Sequence, residues 1–566
     1  VSVLKAAKWL WPDRAAGSAG DWFAQLLAER GITDVAIQAE YLSDRPQETW
    51  DPFLLNDMKE AAKRILLAID RQEVIYIYGD YDADGICAAA LLSQIVEALG
   101  GQSSCYIPSR FDEGYGLNYD ALDWIAAQGG NLVVTVDCGS VSLAEVRHAR
   151  SIGLDIIVTD HHNPGDTLPD CLVVNPKRSD SAYPCPHLSG CGVAFKLAQA
   201  LQRLSGHLDR RELNRVLDLV AIATIADIVP LIGENRTLVK YGIREISRQN
   251  RPGLKKLIEA VGLKSDRIQS DQIAYVIAPH LNAGGRIATA ETGLDLLRSN
   301  DEKHIASAVE ELCHNNRTRR QIQEKALTVA IDLAVGQIAQ DRPILILTAP
   351  EGVIHEGIAG IVAGKIKDRY QRPALVLTET DGDSLKGSGR SVAGVDLHQL
   401  LSSAAGLFEK FGGHSGACGF TLPKNSLSEM SSLVTKAMQR LLEEDPACLT
   451  PILKIDAVTA ARDVNVGMLE QLDRMEPFGR GNERPLLCLN GVVTKNPVFM
   501  GELGQHVRFQ ADGLDCVCFQ KGEIFRDWIT AGEKLRLAGH PGWNEWNGSR
   551  KIQFVVTDIQ CYNSSN

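Results

Sequence analysis

VIYIYGDYDADG, residues 74–85, is the stretch on which the reading of this chain turns. Val74–Tyr78 is an unbroken apolar run of strand length, and Asp80, Asp82 and Asp84 follow it at alternate positions. Carboxylates this close repel one another unless positive charge sits among them. The layout recurs twice. VVTVDCG (133–139) carries Asp137 after its apolar run, and IIVTDHH (156–162) ends on Asp160, His161 and His162. Hard divalent ions take carboxylate oxygens and imidazole suits softer transition metals. The three segments together predict a binuclear metal centre for hydrolysis at phosphorus.

Around these segments, apolar runs alternate with helical patterns. Gly85–Leu99, Tyr119–Gln128 and Leu143–Ile152 read as helices; Gln102–Ile107, Leu132–Val136, Asp155–Thr159 and Cys171–Val174 read as strands. Strands without polar alternation, separated by helices, predict a parallel sheet covered on both faces. Ligands of such a sheet sit outside the carboxyl ends of its strands, which places Asp80–Asp84, Asp137 and Asp160–His162 on one rim. Helical segments at 192–204 and 212–226 lead to Asp227 in ATIADIVPL, which can close the ring. A single ion would leave several buried carboxylates uncompensated. Any one of these Asp residues could instead cap the following helix. A cap, however, has no use for two adjacent imidazoles, and neither does a response-regulator phosphoacceptor site. The side chains of His161 and His162 should diverge, one to metal and the other to substrate.

Downstream, 301–334 is a long charged helical stretch suited to an arm between two lobes. A second α/β unit starts at Pro343, with PILILTAP and ALVLTE as strands and IAGIVAGKIKDRY as the helix between them. The polar, Gly-rich DGDSLKGSGRSVAGVD follows; GGHSGACGF marks a turn before a strand, and 426–443 is helical. From Ile452 onward, short runs separated by polar or Gly-rich turns predict a small barrel or sandwich, with Cys516 and Cys518 at alternate positions of one strand. Residues 1–70 read as a helical lead-in, with Asp51 and Pro52 opening its last helix.

Several basic or Gly-rich stretches could contact phosphate. Arg110 in IPSRFDEGYGL lies just beyond a strand and reaches the same rim, and Arg286 follows NAGG, whose glycines permit close backbone approach. Ser388, Gly389 and Arg390 in KGSGRS form either an anion cradle or a flexible surface loop. His414 in GGHS either faces substrate or marks a plain turn. HNNRTRR, with Arg317, Arg319 and Arg320, guides a nucleic-acid backbone or is a solvated helix face; Trp543 and Trp546 stack bases or fill the last core.

Composition sets outer bounds. With 566 residues, three or four domains are expected. The make-up, 45% hydrophobic and 23% charged, is that of a globular protein, and a net charge of −12 counts against a generic DNA-coating protein without excluding a nuclease. Thirteen scattered cysteines fit reduced thiols in the cytoplasm better than a disulfide scaffold. No apolar run has membrane-spanning length, and VSVLKAAKWLWPDR shows no clear cleavable h-region.

YGDYDADG (78–85), TVDCG (135–139), TDHH (159–162) and ADIVPL (226–231) resemble the motifs of the DHH phosphoesterase superfamily. IPSRFDEGYGL (107–117), HLNAGGR (280–286), GSGRS (387–391), FGGHSGACGF (411–420) and the final domain are similar to those of the bacterial RecJ single-strand DNA exonucleases within it. The resemblance covers about 50 to 560. It implies an α/β fold: a parallel-sheet DHH domain and a smaller DHHA1 α/β domain joined by a long helix, then a β-barrel OB-fold domain. The expected division is 1–70 N-terminal helical extension, 71–300 DHH, 301–338 connecting helix, 339–447 DHHA1 and 448–566 OB fold, with no further domain after the barrel.

The implied activity is hydrolysis of single-stranded DNA from the 5′ end to 5′-mononucleotides, in DNA repair and recombination, with two divalent cations, Mn2+ or Mg2+. Asp82 with Asp80 would serve one ion and Asp84, His161 and Asp227 the other, with Asp137 bridging. Asp160 would orient its neighbours, and His162 would contact the scissile phosphate. Arg110, Ser388, Gly389 and Arg390 are the implied holders of the terminal phosphate, Arg286 lies near the phosphate path, and His414 is on the substrate side. Tyr78 stands where many superfamily members carry a metal-binding histidine, which leaves the first ion to rely on Asp80 or water.

Single-stranded DNA is the expected partner, with a single-strand-binding protein and a helicase as further candidates. One chain can form the required cleft, so a monomer is expected, and no membrane. A DHH phosphodiesterase of short oligonucleotides or cyclic dinucleotides is the alternative enzyme, but a dinucleotide needs no long stacking platform. A type II pyrophosphatase needs less substrate-facing surface. A non-catalytic DNA-binding scaffold is disfavoured by the intact Asp82, Asp84, Asp137, His161, His162 and Asp227.

Overall fold

The computed structural model describes residues 7–12, 22–110, 112–264, 268–380, 382–502, 504–546 and 549–562. The chain divides into two compact units. One comprises Thr33–Asn316 with Leu472–Arg484; the other comprises Arg317–Gln471, Pro485 onward and the described residues before Thr33. The first described element, β1 (Lys8–Leu10), is a strand where a helical lead-in was expected. It pairs in parallel with a later strand, Lys8 facing Ile452 and Leu10 facing Lys454, and Trp9 donates its indole N–H to Asp558 Oδ2 at 2.8 Å. Alternation over three residues buries Trp9 between exposed neighbours, a strand pattern too short to stand out in sequence.

Thr33–Asn316 with Leu472–Arg484 is built on a five-stranded parallel sheet: β2 (Val74–Tyr78), β3 (Gln102–Tyr106), β4 (Leu132–Val136), β5 (Asp155–Thr159) and β6 (Leu172–Val174), in spatial order 3-2-4-5-6. Helices Ala83–Ala98, Tyr119–Ala127 and Leu143–Ser151 make the crossovers. Ile75, Ile77, Leu132, Val134 and Ile157 join the core on one face; Tyr76, Tyr78, Val133, Ile156 and Val158 join that on the other. Both faces are thus dry, which explains the continuous apolar runs. The chain leaves β2 for β3 on one side and returns for β4 on the other, so the topological switch lies between β2 and β4. The helix expected to open at Asp51 starts later: Asp51 accepts from the backbone N–H of Phe53 and caps a short turn, Pro52–Leu54, while the helix itself is Met58–Asp70.

The helix Gly190–Ser205 lies across this core and is pinned by a fully buried ion pair, Lys196 Nζ to Glu234 Oε1 at 2.6 Å. Lys196 also donates to Trp50 O, and Glu234 accepts from Trp50 N and from the Tyr183 hydroxyl.

The 38-residue helix Glu302–Ala339 is common to both units by sequence: Ile305, Ala308, Val309 and Leu312 enter the core of the first, and Ala326, Ala330 and Ala334 a core of the second. In the second unit a mixed sheet, order 10-11-9-8-7, contains β7 (Leu345–Ala349), β8 (Ala374–Glu379), β9 (Ser384–Arg390), β10 (Lys410–His414) and β11 (Ala417–Pro423). β9 corrects the alternative that made Ser388–Arg390 a flexible surface loop. It is paired on both edges, and its glycines serve packing: a Cβ at Gly387 would meet the Phe420 ring at 2.3 Å. GGHS also differs from expectation, because His414 ends a strand and only Ser415 and Gly416 turn.

After β12 (Ile452–Lys454) and β13 (Ala457–Thr459) comes a closed five-stranded barrel. β14 (Leu487–Met500), β15 (His506–Ala511), β16 (Leu514–Cys518), β17 (Lys534–Trp546) and β18 (Ser549–Cys561) pair in the cycle 14-15-16-18-17-14. Irregularities at Asn490/Val492 and Lys495/Val498 bend β14 so that it pairs with β17 through one half and β15 through the other. Cys516 and Cys518 point into the barrel core. All thirteen cysteines are free, and no described helix is long and apolar enough to cross a membrane.

Lys196→Met strands the Glu234 carboxylate in the core and should cost about 3–5 kcal/mol in urea unfolding. The double variant Lys196→Met/Glu234→Gln should recover part of that loss. Equal costs for single and double variants would contradict the pairing.

Candidate metal centre and its surroundings

Strand ends and helix starts position the acidic groups. Asp82 caps the helix Ala83–Ala98, its Oδ1 accepting from Asp84 N at 2.8 Å and Gly85 N at 3.2 Å. The capping role considered from sequence is therefore real, and it coexists with membership of the cluster. Gly85 admits this tight turn: a Cβ there would lie 2.4 Å from the backbone of Asp80. Asp84 accepts the N–H groups of Gly190 and Cys191, at 2.7 Å each, at the N-terminus of the helix Gly190–Ser205. Asp137, after β4, adopts a left-handed backbone (φ 65°), which Asp tolerates better than most residues. Gly190 passes so close that a Cβ would meet the Asp137 Cβ at 2.5 Å.

Three overlapping groups result, with ligand atoms within 4.8 Å of one another: Asp80, Asp82 and Asp137; Asp84, His161 and Asp227; Asp137, His161 and His162. His161 Nε2 lies 3.1 Å from Asp137 Oδ1, 3.6 Å from Asp227 Oδ2 and 3.8 Å from Asp84 Oδ2. Asp80 Oδ1, Asp137 Oδ1 and His161 Nε2 are buried without a hydrogen-bond partner. Burial, then the neighbouring carboxylates, push the carboxyls of Asp80, Asp84 and Asp137 well above their usual range. Asp227, more open, rises to about 7 through burial and Asp82. Burial and the adjacent His162 hold His161 down at about 3, which keeps its imidazole neutral with a lone pair available. Unpartnered acceptors, crowded carboxylates and a neutral imidazole form a donor set that fits divalent cations.

Asp160 sits apart from these groups. Its Oδ1 accepts from His161 N, His162 N and His162 Nδ1, and its Oδ2 from Ser140 N. Burial opposes its charge, but the His162 hydrogen bond holds its carboxyl below the ordinary range. For His162 burial works against the proton, yet Asp160 raises it to about 9. Tyr115, which no sequence pattern marks as a site residue, donates to Asp137 O at 3.3 Å, and its oxygen lies 3.0 Å from His162 Nδ1. Asn175, at the end of β6, donates to Ser140 Oγ and His162 O. Apart from the strand-end position of Asn175, no sequence signal marked these supports.

Tyr78 is no ligand. It is fully buried, stacks on Tyr106, donates its hydroxyl to Gly116 O at 2.9 Å and accepts from Asn118. Arg110 stands over the Tyr81 ring at 5.3 Å and acts electrostatically on Asp80, and Arg286 also interacts with Tyr81. NAGG lies inside the helix Ala278–Ile287, where Gly285 lets Tyr81 O approach to 2.5 Å of a would-be Cβ.

The remaining expected site residues lie in the other unit. Ser388, Gly389 and Arg390 end β9, whose backbone is committed to neighbouring strands and cannot cradle an anion through its N–H groups. Ser388 and Arg390 share one face, and Arg390 runs past Gly360, where a Cβ would lie 2.8 Å from its guanidinium. His414 is exposed, and its Nδ1 accepts from Gly416 N. Arg317 and Arg320 are exposed, whereas Arg319 is buried and donates to Gln323, so it is not part of a solvated face. Trp543 is half-buried under Arg550; the Trp546 side chain lies outside the described residues.

Residues 74–224 match the DHH family, N-terminal domain, 341–440 the DHHA1 domain and 455–558 the RecJ OB domain. The single-stranded-DNA-specific exonuclease RecJ of Bacillus subtilis is 36% identical over 541 residues, covering 94% of this chain and 67% of that protein. The protein of the same name from Dickeya dadantii is 33% identical, covering 94% and 95%. The chain belongs to the RecJ family. Its structure resembles that of Thermus thermophilus RecJ in complex with Mn2+, with a TM-score of 0.81 at 28% identity over 98% of this chain and 80% of that one. The Mg2+ complex of the same RecJ gives a TM-score of 0.78 at 26% identity, covering 98% and 79%.

The raised carboxyls make a signed prediction. An acid whose folded pKa exceeds its unfolded value contributes stability that is present below the unfolded value and lost as pH rises through the folded one. For Asp227 that window runs from 3.8 to about 7. In chelator, Asp227→Asn should therefore melt higher than the parent at pH 8 and lose that advantage at pH 4. A difference in Tm independent of pH would contradict the arrangement.

Proposed function

We propose that this protein is a divalent-metal-dependent exonuclease that degrades single-stranded DNA from the 5′ end and releases 5′-mononucleotides. The observation that carries this reading is the set of overlapping carboxylate and imidazole groups at the switch point of the parallel sheet, with Asp137 common to two of them. Membership of a family whose relatives are named single-stranded-DNA-specific exonucleases supplies the substrate class, and the metal complexes of the Thermus protein point to Mn2+ or Mg2+. The 5′ direction and a role in repair and recombination rest on the family resemblance.

Asp80 and Asp82 would hold one ion, Asp84, His161 and Asp227 a second, and Asp137 would face both. When bound, such a pair lowers the pKa of water and stabilises the charge that develops on the phosphoryl oxygens. The protein's own groups do the rest. Asp160 and Tyr115 fix His162 through Nδ1, leaving its Nε2 to donate a hydrogen bond to a phosphoryl oxygen. Arg110, stacked on Tyr81, would hold a phosphate on the Asp80 flank. The sheet, long helix, second α/β lobe and barrel would act as separate DHH, connecting, DHHA1 and OB domains. The reduced cysteines suit the cytoplasm. A monomer, assisted by a single-strand-binding protein and a helicase, completes the reading.

The test is nucleotide release from 5′-labelled single strands with Mn2+. Asp137→Ala should lower it by about a thousandfold or more, the loss of several kcal/mol of charge stabilisation. Equal release by both proteins would reject the centre. The resemblance also gives Ser388, Arg390 and His414 substrate roles. In the same assay Arg390→Ala should raise KM more for 5′-phosphorylated than for 5′-hydroxyl strands, and an equal rise would remove it from phosphate recognition.

A further inference from the structure

Lys177 and Arg480 come from distant segments, yet the backbone ties both of them to the surroundings of Asp227. Lys177 follows β6, its N–H bonded to Asn175 Oδ1 at 2.8 Å. Leu231 N donates to Arg480 O at 2.7 Å, and the Asn235 amide spans His187 O and Pro230 O. These bonds draw the segments carrying His187 and Arg480 against the loop that follows Asp227. Lys177 and Arg480 both act electrostatically on Asp227 and on His187. Lys177 is half-buried and Arg480 exposed, and among the described residues neither makes a side-chain hydrogen bond or an ion pair within 4.0 Å. Burial first, and then these two positive charges, hold the His187 imidazole below its ordinary value.

The acidic centre thus has cations on two flanks. Arg110 acts on Asp80, at one end of the overlapping groups; Lys177 and Arg480 act on Asp227, in the group that does not contain Asp80. A polyanion crossing a carboxylate-rich centre needs positive charge on both sides of the bond being cut, and only one side is accounted for by Arg110. We propose that Lys177 and Arg480 bind the phosphodiester on the 3′ side of the scissile bond, holding the strand that stays behind while the terminal nucleotide leaves from the Arg110 flank. The proposal rests on the nuclease reading above and deepens it. Both groups contact backbone charge alone, so the site tolerates any base.

The experiment compares two 5′-phosphorylated oligonucleotides that differ only at the second linkage, a normal phosphodiester in one and a neutral methylphosphonate in the other. The scissile first linkage is identical. The wild-type protein should release the first nucleotide from the charged strand with a kcat/KM about tenfold or more above that for the neutral one, as charge-assisted contacts of this kind demand. Lys177→Ala/Arg480→Ala should bring that ratio close to one, and Lys177→Arg/Arg480→Lys should restore it. A wild type indifferent to the linkage would overturn the assignment. So would an alanine variant that loses rate on both strands yet keeps the wild-type ratio, since these cations would then serve only Asp227. If the wild type releases nothing from either strand, the nuclease reading itself fails and takes this inference with it.

Discussion

Mutual repulsion among buried carboxylates is the constraint around which this protein is organised. Asp80, Asp84 and Asp137 are nearly inaccessible to water, Asp227 is only partly open, and neighbouring carboxylates raise the cost of ionising each of them, Asp82 acting on all four. A fold built for stability alone would not place them on one rim. The surroundings hold the geometry without neutralising it. The N-terminus of the helix Gly190–Ser205 presents two N–H groups to Asp84, and the absence of a side chain at Gly190 lets Asp137 pass. The deficit of positive charge is left for ions.

A second layer serves the two histidines in opposite ways. Asp160 accepts from His161 N, His162 N, His162 Nδ1 and Ser140 N and so lets His162 keep its proton, while burial and the adjacent His162 keep His161 neutral. Adjacent residues thereby acquire different chemistry, a lone pair at His161 and a donor at His162. The switch-point topology makes this possible because it gathers the ends of β2, β4 and β5 at one place.

Much of this was legible in the sequence because apolar runs end directly on the acidic residues. The five parallel strands, the long helix and the seven acidic and histidine residues could be named from pattern alone. What stayed hidden depends on contacts between distant residues. Lys8–Leu10 becomes a strand only because Ile452–Lys454 offers an edge. GSGR reads as a loop by composition, yet its glycines accommodate Phe420 and Leu397 inside a sheet. Tyr115 and Arg480 carry no local signature, Asn175 has only its strand-end position, and the hydrogen bonds that bury Tyr78 against Gly116 and Asn118 have no mark in the sequence.

Calorimetric titration of the metal-free protein with Mn2+ tests the central claim most directly. Two ions should bind per chain, releasing protons as the raised carboxyls ionise, and Asp137→Ala should abolish or sharply weaken both. Saturation at a single ion, or unchanged binding after that substitution, would contradict a shared centre built on Asp137.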